Sequence, residues 1–218
     1  MTDQMDIQED LAPVTPTGHS RRKFFAVGGA IAAGAVVAAC GSDDDEGGDD
    51  TGGGDGDDGG GDDAGIATFA AGLELLAAQT YTAALEAAGS GALGEVPPAV
   101  AEFATVAQAH HQAASDALAA AAGGITPEVD PAIKATVDEA FAGVTDVAGL
   151  ARLALTLELQ AAATYLEVLP ALQSADAINL VGSILPIERQ HAAILHFALG
   201  EYPVPDVFAT TDDSLAPA

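Results

Sequence analysis

Residues 73–81 read Leu-Glu-Leu-Leu-Ala-Ala-Gln-Thr-Tyr, and residues 157–165 read Leu-Glu-Leu-Gln-Ala-Ala-Ala-Thr-Tyr, a repeat at a constant offset of 84. In each copy a Glu precedes a Tyr by seven positions, two turns along one face of an α-helix. The surrounding segments, 66–88 and the stretch from Asp146 to about Leu169, are rich in Ala and Leu and have no internal Pro. Both are expected to be helices, the later one capped by Asp146 and closed before Pro170. A second helix is expected from Pro97-Pro98 to about Ala122, ahead of Gly123-Gly124. A fourth runs from near Asp176 to Leu199, ahead of Gly200, with Pro186 expected to kink it. Between helices 2 and 3, residues 125–145 hold Pro127 and Pro131 and read as a crossover with a short helix at 132–141. The order predicts an all-α, four-helix bundle of two antiparallel helix pairs. The long crossover lets helix 3 run parallel to helix 2.

The second and fourth helices repeat more thinly. Gln108-x-x-His111 matches Glu188-x-x-His191 at an offset of 80, and Ala113 matches Ala193. The match rests mainly on the two His. A Glu and a His at i, i+3 are separated by ~4.5 Å along the axis and share a face, so Glu188 and His191 can reach one ion. Carboxylates without partners inside an Ala-rich bundle are costly, and mirrored polar positions there point to a shared ligand.

The constellation Glu74, Gln108, His111, Glu158, Glu188 and His191 resembles the di-metal carboxylate site of the ferritin-like superfamily, over residues 65–199. Together with the leader described below, the chain is similar to the exported ferritin-like proteins of that superfamily. The resemblance implies terminal ligands at Glu74 and Glu158, a bridging carboxylate at Glu188 and imidazole ligands at His111 and His191. It implies iron, as a di-iron or single-ion centre, or manganese, with ferroxidase-like or protective chemistry. Gln108 departs from the pattern by standing where a second bridging carboxylate belongs. An amide is the poorer ligand, which points to a single ion on the side of Glu158, Glu188 and His191, or to a vestigial site holding none. Tyr81 and Tyr165 pack behind the ligands or in the core, and His110 is expected beside the site, turned ~100° from His111. His196 lies on another face.

The N-terminus carries different information. Ser20-Arg21-Arg22-Lys23-Phe24-Phe25 resembles a twin-arginine export signal, and the uncharged run 24–39 that follows is too short for a comfortable membrane span. Val37-Ala38-Ala39-Cys40 resembles a lipoprotein cleavage site, which implies a lipid on Cys40 and a membrane as partner. Residues 1–39 are therefore read as a leader, and 40–64, nearly all Gly and Asp, as a solvated tether. The tether's Asp runs lack the spacing of an EF-hand calcium loop. Residues 200–218, with Pro203, Pro205 and Pro217, are expected to be an extended tail.

Composition narrows the function classes. The chain has 33 acidic and 6 basic side chains, a formal charge of -27, which gives no electrostatic support for nucleic-acid binding. With one Cys it can form neither an intrachain disulfide nor a multi-thiolate metal site, so any metal must use His and carboxylates. Two readings stand: an exported, lipid-anchored metalloprotein, or a non-catalytic envelope scaffold whose ligand-like residues form a buried polar network.

Overall fold

The computed structural model describes residues 60–217. Arg21, Arg22, the apolar run 24–39, Cys40 and most of the acidic tether lie outside the described residues. Five helices follow in order: α1 (Gly60–Gly89), α2 (Pro98–Ala121), α3 (Pro131–Ala142), α4 (Val147–Val168) and α5 (Ala175–Ala198). A 3-10 turn at Leu169–Ala171, holding Pro170, joins α4 to α5. The four long helices are those expected from the sequence, and α3 is the short helix of the crossover. No strand occurs among the described residues, and none of their helices is long and apolar enough to cross a membrane.

The helix starts are held by side chains that satisfy otherwise unpaired backbone donors. Asp130 Oδ1 accepts from Ala132 N and Ile133 N at the start of α3, and Asp146 Oδ1 accepts from Gly149 N at 2.7 Å at the start of α4. Ser174 Oγ accepts from Ala177 N at the start of α5. Pro98 opens α2, where its missing N–H costs nothing. At the other end of α2, Gly123 and Gly124 have φ of 91° and 80°, a conformation that L side chains rarely adopt, and this ends the helix. α5 runs through Pro186 as one helix.

α1 begins within the Gly/Asp segment that composition assigns to the tether. Asp63 is buried, and its two carboxylate oxygens accept from Gln173 N and Ser174 N, each at 2.8 Å. These backbone hydrogen bonds lower the Asp63 pKa and tie the first turns of α1 to the start of α5.

Contacts between helices fix their directions. Tyr81 of α1 meets Glu158 of α4, and Tyr165 meets Glu74, so α1 and α4 run antiparallel. Ser115 Oγ of α2 donates to Ala71 O of α1, and His111 meets Glu74, so α1 and α2 are also antiparallel. α4 therefore runs parallel to α2, as the crossover requires. The core is layered along the bundle axis. At one end Ala71, Leu118, Val168, Val181 and Ile184 pack together, and at the other Tyr81, Ala107, Ala154 and Leu195. Between these apolar layers lie Glu74, His111, Glu158, Glu188 and His191, all 4% exposed or less.

The crossover and the tail both close against the bundle. The tail returns to α4, where Leu215 N donates to Thr164 Oγ1 at 2.9 Å and Ala216 packs on the core. The connection between α2 and α3 runs so close to α1 that a Cβ placed on Gly72 would collide with the carbonyl oxygen of Glu128. That neighbour is backbone and cannot rotate aside. Gly72→Ala is therefore expected to destabilise the domain by about 1–3 kcal/mol as an overpacking substitution, measurable as a lowered thermal midpoint. Gly65→Ala, which meets no atom within 4 Å, serves as the control.

Candidate metal centre

Every long helix contributes to the central polar layer. Glu74 comes from α1, His111 from α2, Glu158 from α4, and Glu188 with His191 from consecutive turns of α5. His111 is the hub. Its Nδ1 lies 2.7 Å from Glu74 Oε2 and its Nε2 3.3 Å from Glu158 Oε1, so one imidazole bridges the two repeated glutamates. His191 Nδ1 lies 3.2 Å from Glu158 Oε2. Glu188 Oε2 is 4.0 Å from His111 Nδ1 and is buried without a hydrogen-bond partner.

The two tyrosines bind across the repeat. Tyr81 OH donates to Glu158 Oε1, while Tyr165 OH donates to Glu74 Oε1. Each half of the chain thus orients the glutamate of the other half. Tyr81 also stacks on the His111 ring, with centroids 5.5 Å apart and planes 19° from parallel. Burial first, then the adjacent carboxylates, push both phenols well above the usual tyrosine range, so both stay protonated donors.

Electrostatics in this layer follow from burial opposed by pairing. Burial alone would lower the His111 pKa, but hydrogen bonds to Glu158 and Glu74 and the nearby carboxylate charges raise it well above normal. Burial alone would raise Glu158, yet hydrogen bonds from His111 and His191 and the charge of His111 bring it below the ordinary range. Glu188 has no imidazole hydrogen bond; it is paired with the Glu158 carboxylate instead. Burial and the charge of Glu74 push it well above the usual carboxylate range, and the charge of His111 only partly offsets this. Without an ion, then, a protonated His111 and a protonated Glu188 keep the layer from accumulating negative charge.

The remaining sequence-predicted residues fall into place around this core. Gln108, one turn before His111 on α2, is half-buried and takes no part in the hydrogen-bond network of the cluster. His110 is exposed, yet its ring stacks on His191 at a centroid distance of 5.3 Å, with Nδ1 3.0 Å from His191 Nε2. Lost hydration and the two neighbouring imidazoles lower its pKa, so it is a neutral ring with a lone pair at pH 7. His196 pairs with Glu201 at 2.7 Å, away from the cluster. Phe103 was not singled out from the sequence, yet it meets His191 edge-on at 5.8 Å. Nothing in its local pattern separates it from an ordinary core aromatic.

Beside the cluster, between α1 and α4, lies a cavity of about 40 Å³ lined by Glu74, Tyr81, His111, Glu158 and Tyr165, with Ile133 of α3 and Leu215 of the tail also at its wall. It has room for a water or a diatomic molecule.

His111, Glu158, Glu188 and His191 each offer one ligand atom, and these atoms lie within 4.8 Å of one another. Two imidazoles and two carboxylates suit a borderline divalent ion such as iron, manganese or zinc, and the unpartnered Glu188 Oε2 is the atom such an ion would satisfy. A model of the ferritin-like domain family matches residues 62–201, and the chain belongs to that family. No curated protein matches the chain. It is a ferritin-like domain with a buried His/Glu cluster that could hold a metal ion.

The sign of one substitution follows from the protonation pattern. A carboxyl raised in the folded state costs stability once the pH exceeds its unfolded pKa, because the unfolded chain ionises more readily. Glu188→Gln removes that cost. The metal-free variant is expected to melt above the parent at pH 7, with the difference vanishing toward pH 4, as followed by circular dichroism.

Proposed function

We propose that the chain is an exported, lipid-anchored ferritin-like protein that holds iron, or manganese, between its helices, with ferroxidase-like or oxidative-stress-protective activity. The observation that carries the metal reading is the unpartnered Glu188 Oε2 among three other buried ligand-type side chains. The donor set favours one ion on His111, Glu158, Glu188 and His191, with Glu74 standing behind His111. Bound iron would supply the exchange of electrons between Fe(II) and an oxidant such as dioxygen or peroxide.

The chain's own residues prepare the site. Glu158 is ionised already, whereas His111 and Glu188 must each release a proton for their ligand atoms to become available. Tyr81 and Tyr165 fix the rotamers of Glu158 and Glu74. The apolar layers above and below exclude bulk water, and the 40 Å³ cavity leaves room for a small oxidant on the α1/α4 side. Because two protons leave as an ion enters, affinity rises with pH.

A second reading has its own support. His111 joins Glu74 to Glu158 directly, and Gln108 stays out of the network, so most of the layer is satisfied as a proton-bearing polar core. In that case the bundle serves as an envelope scaffold for protection or partner binding. Elemental analysis of the full chain, produced with iron and manganese present and washed with a mild chelator, separates the two. The first reading expects about one ion per chain, release of about two protons on uptake, and loss of the ion in Glu188→Ala. A folded parent that retains no ion supports the scaffold.

The leader supports the proposed location: the paired Arg21 and Arg22, the apolar run and Cys40 stand in the order of an exported lipoprotein. Cys40→Ser is expected to abolish incorporation of a labelled fatty acid into the protein in the producing cell. A parent chain that takes up no label would exclude the lipid anchor.

A further inference from the structure

The ligand-bearing layer is sealed along the bundle axis by apolar packing, so an ion must arrive between helices. One side offers a route. Between α2 and α5 a cleft of about 280 Å³ opens to solvent, with Ala113, Ala114 and Ala117 on one wall, Ile184 and Ile187 on the other, and Glu188 and His110 both lining it. The small alanine side chains of α2 keep it open. Glu188 carries the buried oxygen that lacks a partner, and His110 is the exposed member of the same lining.

His191 connects the two. Its Nδ1 faces inward to Glu158, and its Nε2 faces His110 Nδ1 at 3.0 Å. Two imidazole nitrogens that share a tetrahedral ion at ~2.0–2.1 Å stand ~3.3 Å apart. His110 Nδ1 donates to His191 Nε2 in this contact, so an ion enters by displacing that shared proton, which moves to His110 Nε2, while the pair opens by a few tenths of an ångström. Stacking of the two rings, 12° from parallel, already holds them side by side. His110 has no counterpart in the other half: the position 80 residues on is Gln190. The arrangement therefore belongs to one side of the bundle, the side that bears the cleft.

We infer that the α2/α5 cleft is the entry port of the metal centre and that His110 with His191 forms a two-imidazole entry site for a borderline divalent transition-metal ion. The ion binds first between His110 Nδ1 and His191 Nε2, then passes to the inner face of His191, whose Nδ1 proton moves to the vacated Nε2 as Glu158 and Glu188 complete the set. This inference rests on the metal reading above. His110 is a transfer ligand, so it governs how fast the centre fills rather than how much it finally holds.

Co(II) uptake by the full chain, followed by its visible absorption, tests the assignment. His110→Ala, which deletes the outer ligand, and Ala113→Phe, which crowds the cleft from an exposed position, are both expected to load about tenfold or more slowly than the parent. Both should reach the same final Co(II) content. Metal-free melting curves of the two variants check that the fold is kept. Loading of either variant at the parental rate overturns the entry site while leaving the buried centre intact. A parental rate with lowered final content overturns it as well, because His110 would then only position His191. A parent that takes up no Co(II) overturns both this inference and the metal reading.

Discussion

Burying three glutamates in a helical bundle built largely from alanine sets the terms for everything else in this domain. Alanine cores are thin, and α1 can lie close enough to the crossover that only a glycine fits at position 72. Such a core has few polarisable groups to screen a charge, so each buried carboxylate demands its own proton, imidazole or hydroxyl. His111 answers two of these demands at once, Tyr81 and Tyr165 answer them from the opposite half, and Glu188 answers by keeping its proton. The separation of the core into two apolar clusters with one polar stratum between them follows from this arrangement. Polar groups that must share partners have to sit at one height.

The same constraint would link the uptake of an ion to the stability of the fold. Protons on His111 and Glu188 are what make the buried polar layer tolerable, and they occupy the atoms that an ion would use. Conditions that remove these protons weaken the metal-free fold and strengthen ion binding together. A centre built this way is selective for protein that has already folded, since only the packed bundle brings the four ligand atoms within reach of one another.

Much of this was legible in the chain because the repeat is written twice. The seven-residue spacing from Glu74 to Tyr81 and from Glu158 to Tyr165 placed both pairs on inward faces, and the structure puts them there. What the repeat could not express is that each tyrosine serves the other half's glutamate, since a pattern along one helix carries no information about its neighbour. Gln108 shows the same limit: i, i+3 spacing sets it one turn before His111, yet it is half-buried and outside the network. His110 was expected beside the site and turned from His111; that it meets His191 of α5 was not written in its own helix. Asp63 looked like part of a solvated run, but its carboxylate meets backbone donors of Gln173 and Ser174, more than a hundred residues further on. Local composition cannot report such a contact.

The exchange of tyrosines between halves also says what the smallest workable unit is. A lone helical hairpin carrying Glu74 and Tyr81 would bury an acid and a phenol that cannot reach each other, seven residues apart on one rod. Two hairpins facing in opposite directions cure both defects in a single step. The closed network is thus a property of a head-to-tail couple, and the same couple could be made by two identical short chains as readily as by one long one. In this light the crossover from α2 to α4 contributes no ligand. Its part is to hold permanently together, in one polypeptide, two modules that complete each other.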